Sequence, residues 1–180
     1  MTIELVIDFN IPEGLAELYA ESSDCEYVGN KDGVLSVEEA ATNLMRYAET
    51  KKYGAFERLG IMKIYKDDVL VGFSMPRDIK EKEHKVFLLP EDTQWYRIGT
   101  VYIGKAYRGK GIMSGAILKF KEMYPNLLWT CNETNTGSHK SALAGGLTLS
   151  HKVYVGKERY WEHQPFDGMI RTDLVFKSEV

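Results

Sequence analysis

The residues most able to do chemistry lie in one basic, glycine-rich stretch, residues 102–113, of sequence Tyr-Ile-Gly-Lys-Ala-Tyr-Arg-Gly-Lys-Gly-Ile-Met. Its β-branched and aromatic start predicts a strand, and the amphipathic segment at its end predicts a helix. A helix start presents backbone N–H groups without partners in the helix, and the helix dipole favours negative charge there. The stretch therefore predicts an anion-binding loop, with Lys105, Arg108 and Lys110 supplying local positive charge.

Two common phosphate-binding motifs fit this loop incompletely. Residues 104–110 match the GxxxxGK spacing of a Walker A loop, but Gly111 follows where a Ser or Thr would hold Mg²⁺. No later strand ends in the Asp that would complete such a metal site. A dinucleotide fingerprint begins at Gly109, but Ser114 occupies its third glycine position. Nucleotide hydrolysis and dinucleotide binding are therefore disfavoured.

Strands and helices that would position the loop are predicted on both sides of it. Ser36 and Glu39 form a capping box before an apolar stripe of helical spacing, which predicts a helix at about residues 36–51. Strands are predicted at residues 2–9, 59–65, 69–73, 86–89, 94–103, 127–131, 151–161 and 168–177. Further helices are predicted from Pro12, at 111–124 and at 138–145. The charged residues 76–85 predict a connector that is a solvated loop or a hairpin extension.

Composition limits the function classes. A chain of 180 residues with 44% hydrophobic and 27% charged residues predicts one folded domain, residues 1–180. The net charge of −3 disfavours general nucleic-acid binding. Cys25 and Cys131 form no CxxC pair, and the histidines are scattered, so we expect no metal site and a reducing, cytoplasmic setting. Without a signal peptide pattern or an apolar run of about 20 residues, no membrane association is expected.

The loop resembles the acyl-CoA loop of the GNAT N-acetyltransferase superfamily, which is written R/Q-x-x-G-x-G/A. Arg108 and Gly111 match this pattern, whereas Met113 stands where the family usually has Gly or Ala. A second family pattern, Asn-x-x-Ala/Ser-x-x-x-Tyr-x-x-x-Gly-Phe, can be laid on the chain, with these residues in register: Asn135, Ser138, Gly146 and Leu147. The resemblance implies an α+β (α/β) fold. Its central sheet would be mixed and mostly antiparallel, with flanking helices and a parallel fourth and fifth strand that splay apart.

The resemblance also implies acetyl-CoA as co-substrate. The pyrophosphate would accept hydrogen bonds from the backbone N–H groups of residues 109–113, while the pantetheine arm would lie between the splayed strands like an added strand. The cofactor contacts implied along the loop and the cleft are Val101, Tyr102, Ile103, Arg108, Gly109, Lys110, Gly111, Ile112, Met113, Asn135 and Ser138.

The implied reaction is direct attack of a neutral amine on the thioester, which needs a proton acceptor and a donor for the leaving thiolate. The family's general-acid Tyr falls at Ala142, and residues 94–103 contain no carboxylate where the family has a Glu. The candidates that remain are Glu133 as the base, with Ser141 or Tyr154 as the donor.

These patterns predict an N-acetyltransferase that moves an acetyl group from acetyl-CoA to a primary amine of a small molecule, protein or peptide. The empty Tyr and Glu positions support an alternative, a non-catalytic GNAT-fold protein that binds CoA. Tyr160 and Trp161 are candidates, with Tyr154, for the wall of an acceptor pocket. The acceptor and the oligomeric state stay open, with a dimer among the alternatives.

Overall fold

A computed structural model describes residues 2–26, 33–53, 56–155 and 171–178. Two candidates for the acceptor pocket, Tyr160 and Trp161, lie outside these residues, as do parts of the last two predicted strands. No helix within the described ranges is long and apolar enough to cross a membrane.

Strands and helices alternate along the chain. The strands are β1 (Ile3–Asp8), β2 (Lys52–Tyr53), β3 (Phe56–Glu57), β4 (Ile61–Lys66), β5 (Val69–Ser74), β6 (Arg77–Asp78), β7 (Tyr96–Arg97), β8 (Tyr102–Ile103), β9 (Leu127–Asn132), β10 (Thr148–Val155) and β11 (Arg171–Lys177). The helices are α1 (Leu15–Ser23), α2 (Val37–Thr50), α3 (Glu81–Phe87), α4 (Ile112–Met123) and α5 (Thr136–Ala144).

The strands form two main sheets. The first has the order β1-β4-β5-β8 and is antiparallel throughout, and the second has the order β10-β11-β9-β7-β6. In the second sheet β7 and β9 run parallel, while the other neighbours are antiparallel. Strands β2 and β3 form a separate pair. The prediction of a mixed, mostly antiparallel α+β fold with one parallel pair is confirmed.

Helix α2 begins at the capping box that the sequence predicts. The Ser36 hydroxyl accepts a hydrogen bond from the Glu39 N–H (3.2 Å), and the Glu39 carboxylate accepts one from the Ser36 N–H (2.8 Å). Ala40 and Leu44 form the buried face of this helix. Local capping and an apolar stripe are thus sufficient to explain where α2 begins and which side it buries.

Of the two alternatives predicted for residues 76–85, the solvated loop is wrong, because the segment contains β6 and the start of α3 and is organised by a buried ion pair. Glu83 is 0% exposed, and its two carboxylate oxygens accept hydrogen bonds from the Arg77 guanidinium at 2.8 and 2.9 Å. One of those oxygens also accepts from the Lys80 N–H at the start of α3 (3.2 Å). The strand predicted at 86–89 is wrong too, since α3 continues through Phe87.

Helices cover both faces of the sheets. The largest core joins α4 and α5 to one face of both sheets, with these central members: Ile64, Ala116, Ile117, Phe120, Trp129 and Phe176. On the opposite face, α1 and α2 pack on the first sheet around Leu44 and Phe73. Helix α3 packs on the second sheet through Phe87 and Leu128. The site described next lies where the two sheets part.

Candidate functional site

A single stretch of chain belongs to both sheets. The Ile98 N–H donates to the Leu128 carbonyl of β9, in the second sheet (3.3 Å). The carbonyl of the following residue, Gly99, accepts from the N–H of Met75, which follows β5 of the first sheet (2.8 Å). The chain therefore leaves the second sheet and joins the first between two consecutive residues. The strand predicted at 94–103 is consequently divided into β7 and β8, and we call this division the fork.

Beyond the fork, β8 and β9 each have one edge that pairs with no other strand of the described residues. Strand β8 pairs with β5 through Ile103 and Tyr102, opposite Gly72 and Phe73. Strand β9 keeps its pairing with β11 on one side, but past Leu128 no described residue pairs with its other side. A cleft bordered by two strand edges offers backbone donors and acceptors to an extended ligand.

Backbone strain marks the fork itself. Thr100 has φ of 43°, in the left-handed region that a β-branched residue rarely adopts. Such strain costs on the order of 1–2 kcal/mol and concentrates at functional sites. Nothing in the local sequence predicts it, because the strain arises where the chain changes from one sheet to the other.

The glycine-rich loop follows β8 directly. The backbone N–H groups of residues 109–113 form an open concave surface, which we call the cradle. After a 3₁₀ turn at Lys105–Tyr107, Gly109 and Gly111 have φ of 73° and 71°. The first hydrogen bond of α4 runs from the Gly115 N–H to the Gly111 carbonyl (3.0 Å). No described residue accepts a hydrogen bond from the N–H groups of residues 109–113. These groups, at a helix start, are available to an anion.

The two glycines leave the space in front of the cradle empty. A Cβ atom added at Gly109 or Gly111 would meet no heavy atom within 4 Å. The conformation of both residues favours glycine, and the missing side chains allow a ligand to reach the backbone. The loop thus has the geometry that the sequence predicts for it.

The exposed side chains of Arg108 and Lys110 are held by backbone carbonyls of the same stretch of chain. The Arg108 Nε–H donates to the Ile103 carbonyl (3.0 Å), and its guanidinium lies 4.8 Å from the centre of the Tyr102 ring. Lys110 donates through Nζ to the Ala106 carbonyl (2.9 Å). Both positive charges therefore belong to the stretch of chain that forms the cradle.

Two predicted cofactor residues turn their side chains away from the cleft. Ile112 and Met113 are buried in the core beneath α4, so each can reach a ligand only through its backbone N–H group. Met113 therefore departs from the family pattern without blocking the cradle. Val101 and Ile103 are partly buried against the same core.

Asn135 and Ser138 shape the start of α5. The Asn135 side-chain oxygen accepts from the Ser138 N–H (3.0 Å), which caps the helix. The Ser138 hydroxyl accepts from the indole N–H of Trp129 (3.1 Å) on β9. Burial raises the pKa of the Cys131 thiol on the same strand, and a hydrogen bond with Ser138 partly opposes this shift. These residues fix α5 to the β9 side of the cleft.

Glu133 and Tyr154 share a face of the second sheet. Leu174 lies opposite both Cys131 and Lys152, so these residues share a face, and Tyr154 shares it because it lies two residues after Lys152 in β10. Glu133 follows the last residue of β9 and reaches this face through its contact with Lys152. Glu133 forms an ion pair with Lys152 (2.9 Å), and Tyr154 is 66% exposed. The structure brings both residues to the α5 side of the sheet, without a contact between them.

The α5 positions differ sharply in burial. Ala142, at the family's tyrosine position, is 0% exposed within the core. Ser141 is partly exposed and donates its hydroxyl hydrogen to the Gly137 carbonyl (2.9 Å). In this structure the Ser141 hydroxyl hydrogen is therefore engaged in a bond within α5.

One residue that contacts the site was missed by the sequence analysis. Glu21, at the end of α1, accepts hydrogen bonds on one oxygen from the Tyr102 hydroxyl (2.9 Å) and from the Lys105 N–H (2.6 Å). Burial, together with the bond to Glu21, raises the pKa of Tyr102. Glu21 lies 81 and 84 residues from its partners, so no local pattern could reveal it.

The fork and the cradle together indicate a protein that binds an extended ligand with an anionic end. An extended ligand with an anionic end would place its chain along the strand edges and its charge on the helix start. In the part of the chain that the structure describes, no three His, Cys, Asp or Glu side chains group closely enough to hold a metal ion. The groups that the described site offers to a ligand are backbone amides.

Comparison with known proteins identifies the family. The chain belongs to the acetyltransferase (GNAT) family, whose model matches residues 16–142, more than half of the chain. Among curated proteins, none matches the sequence.

Solved structures share the fold at low sequence identity. One is an acetyltransferase (GNAT family) from Bacillus anthracis, with 18% identity, a TM-score of 0.60, and coverage of 97% of this chain and 93% of that chain. Another is the Microcin C7 self immunity acetyltransferase MccE in complex with acetyl-CoA and AMP, with 15% identity, a TM-score of 0.64, and coverage of 99% and 92%. A third, from Salmonella typhimurium, modifies the N-terminal serine of ribosomal protein L7/L12, with 14% identity, a TM-score of 0.65, and coverage of 99% and 95%.

Proposed function

We propose that this protein is an N-acetyltransferase that transfers an acetyl group from acetyl-CoA to a primary amine. The observation that carries the proposal is the junction of the fork with the open N–H cradle. The fork supplies two strand edges for an extended arm, and the cradle supplies free amides for an anion at one end of it. Membership of the family gives this geometry its chemistry.

Acetyl-CoA matches both halves of the site. Its pyrophosphate would bind the N–H groups of residues 109–113, with Arg108 and Lys110 adding positive charge. Its pantetheine arm would lie along residues 101–103 in the cleft. The related MccE structure contains acetyl-CoA, which supports the same ligand here.

The proposed reaction is a single displacement. The acceptor nitrogen forms a bond to the thioester carbonyl carbon, the carbon–sulfur bond breaks, and the amine loses a proton while the thiolate gains one. Glu133 is the proposed proton acceptor, and Ser141 or Tyr154 the proposed donor. Glu133 would have to leave Lys152, and Ser141 would have to leave the Gly137 carbonyl, before either could act.

We propose that the acceptor is a primary amine of a small molecule, or of a protein or peptide. The Salmonella neighbour that modifies an N-terminal serine supports the second kind of acceptor. We further propose that residues 1–180 act as one domain in the cytoplasm, where the free thiols Cys25 and Cys131 would stay reduced.

Calorimetry with CoA tests the cofactor half of the proposal. The wild type should bind CoA, and the double variant Arg108→Ala with Gly111→Val should bind at least about tenfold more weakly, because it loses a cation and open approach to the amides. Lys119→Ala is a matched control, since it removes an exposed lysine from the outer side of α4. A wild-type protein that does not bind CoA would refute the proposal.

A thiol-release assay tests the catalytic half. Acetyl-CoA is supplied with amines, aminoglycosides or peptides with free N-termini, and the CoA released is measured above background. The second candidate function, CoA binding without transfer, is favoured by the burial of Ala142 and by the absence of a carboxylate on β7 and β8. Release with any acceptor would exclude it, whereas binding without release across the panel would support it.

A further inference from the structure

We propose that Glu21 is a positioning residue for the acyl-CoA loop, holding the start of the loop against helix α1. The inference rests on the proposed function, because the loop is assigned there to acetyl-CoA. Glu21 lies neither in the loop nor on the strands of the cleft. It contacts the site mainly through its carboxylate, and its backbone carbonyl accepts one longer bond from the Tyr102 hydroxyl (3.4 Å).

The contacts of Glu21 join two parts of the site. Its Oε1 atom accepts from the backbone N–H of Lys105 (2.6 Å) and from the Tyr102 hydroxyl (2.9 Å). Hydrogen bonds to a carboxylate are stronger than bonds between neutral groups, and Tyr102 is only 2% exposed. One oxygen atom therefore fixes both Tyr102 in β8 and Lys105 at the start of the 3₁₀ turn.

Apolar packing places α1 at the same point. A Cβ atom added at Gly104 would lie 3.0 Å from Leu18, one helical turn before Glu21, and 3.5 Å from the Val71 carbonyl. The Gly104 N–H donates to that carbonyl (2.9 Å). The loop thus begins between β5 on one side and α1 on the other. Leu18 packs near Gly104, and Glu21 orients the chain by accepting the hydrogen bond of the Lys105 N–H.

The constraint extends toward the cradle. Lys105 begins the 3₁₀ turn that leads to Gly109, and its side chain forms an ion pair with Asp24 just beyond α1 (3.2 Å). The Tyr102 ring held by Glu21 also carries the Arg108 guanidinium at 4.8 Å. Removing the Glu21 carboxylate takes away the acceptor of the Lys105 N–H and the shorter of the two bonds of the Tyr102 hydroxyl. The 3₁₀ turn would then be held less firmly, and with it the direction of the N–H groups of residues 109–113.

Amide hydrogen exchange in the ligand-free protein tests the contact itself. In Glu21→Ala, the Lys105 N–H should exchange at least about tenfold faster, because its hydrogen-bond acceptor is gone. Glu17→Ala removes an exposed carboxylate one turn earlier on the same helix and should leave this exchange rate unchanged. An unchanged rate in Glu21→Ala would overturn the inference without reference to CoA.

Binding and kinetics test the consequence for the cofactor. Glu21→Ala should bind CoA about tenfold more weakly and show a similar rise in KM for acetyl-CoA, with kcat within about threefold of wild type. Glu21→Gln should restore most of the affinity, because its amide oxygen accepts the same two hydrogen bonds. Wild-type affinity in a folded Glu21→Ala protein would overturn the inference, whereas failure of the wild type to bind CoA would overturn the proposed function instead.

Tyr102→Phe tests the same device with a smaller change. It removes the bonds that the Tyr102 hydroxyl donates to Glu21 but keeps the Lys105 bond, so it should weaken CoA binding about threefold. Combined with Glu21→Ala, it should add no further loss, because both changes break one network. If Glu21→Ala does not fold, unchanged CoA affinity in Tyr102→Phe overturns the inference, and additive losses in the double variant would do so as well.

Discussion

Replacing Gly111 by alanine should separate the backbone requirement of the loop from its role in ligand binding. Gly111 has φ of 71°, so alanine there costs on the order of 1–2 kcal/mol of strain. The alanine also restricts the unfolded chain, which returns about 0.4–1 kcal/mol. The added methyl group meets no heavy atom within 4 Å, so no clash enlarges the loss.

The net loss of stability should therefore be about 1 kcal/mol, or a fall in Tm of roughly 2–4 °C for a chain of this size. Affinity for CoA should fall much further. The methyl group occupies the approach to the free amides and displaces one charge-assisted hydrogen bond of about 1.5–3 kcal/mol. That loss corresponds to about a 10- to 150-fold higher Kd.

Gly33→Ala is the matched control. Gly33 has φ of 87°, and an added Cβ atom there also meets nothing within 4 Å, but the residue precedes α2 and is not part of the loop. Calorimetry with CoA and thermal unfolding should show equal losses of stability in the two variants and a loss of affinity in Gly111→Ala alone. Equal CoA affinities in the two variants would refute the assignment of the cradle.

Three further predictions concern stability. Ser36→Ala removes the cap of α2 and should lower the unfolding free energy by about 1 kcal/mol, measured by chemical unfolding. Thr100→Gly should raise Tm by roughly 2–4 °C, because it relieves the left-handed strain at the fork, whereas Thr42→Gly in α2 should lower it. Burial, partly offset by Arg58, raises the pKa of Tyr47 from its ordinary 10.0 to about 12. Tyr47 therefore contributes stability that is intact below pH 10.0 and is lost as the pH rises through about 12. Tyr47→Phe should flatten this alkaline loss.

Each of these predictions has an outcome that contradicts it. An unchanged midpoint in Ser36→Ala would mean that the cap adds nothing to α2. A lower Tm in Thr100→Gly would show that the fork gains more from the threonine side chain than it loses to strain. If Tyr47→Phe loses stability above pH 10.0 as steeply as wild type, another group governs the alkaline transition.

Local signals were enough to predict the elements whose causes are local. Helix α2 follows from Ser36 and Glu39, which contact each other three residues apart. The cradle follows from Gly109 and Gly111, whose backbone conformation depends on their own lack of side chains. In both cases the residues that form the structure are the same residues that make the sequence motif recognisable.

Features with distant causes could not be predicted from local patterns. Helix α3 looks like a charged connector because the burial of Glu83 depends on Arg77 and on the sheet beneath it. The fork depends on the distant partners of two neighbouring residues, because Ile98 bonds to Leu128 and Gly99 bonds to Met75. Glu21 lies on α1, and the two residues that donate to its carboxylate are 81 and 84 positions away in the sequence.

The fork has a further consequence for the ligand-free molecule. Unpaired strand edges normally invite pairing with another chain, and proteins protect such edges to avoid aggregation. Here the edges of β8 and β9 belong to two sheets that part from each other, and an extended ligand could cover both at once. A ligand in the cleft would then hinder self-association through these edges, and the ligand-free protein should be the form more prone to it.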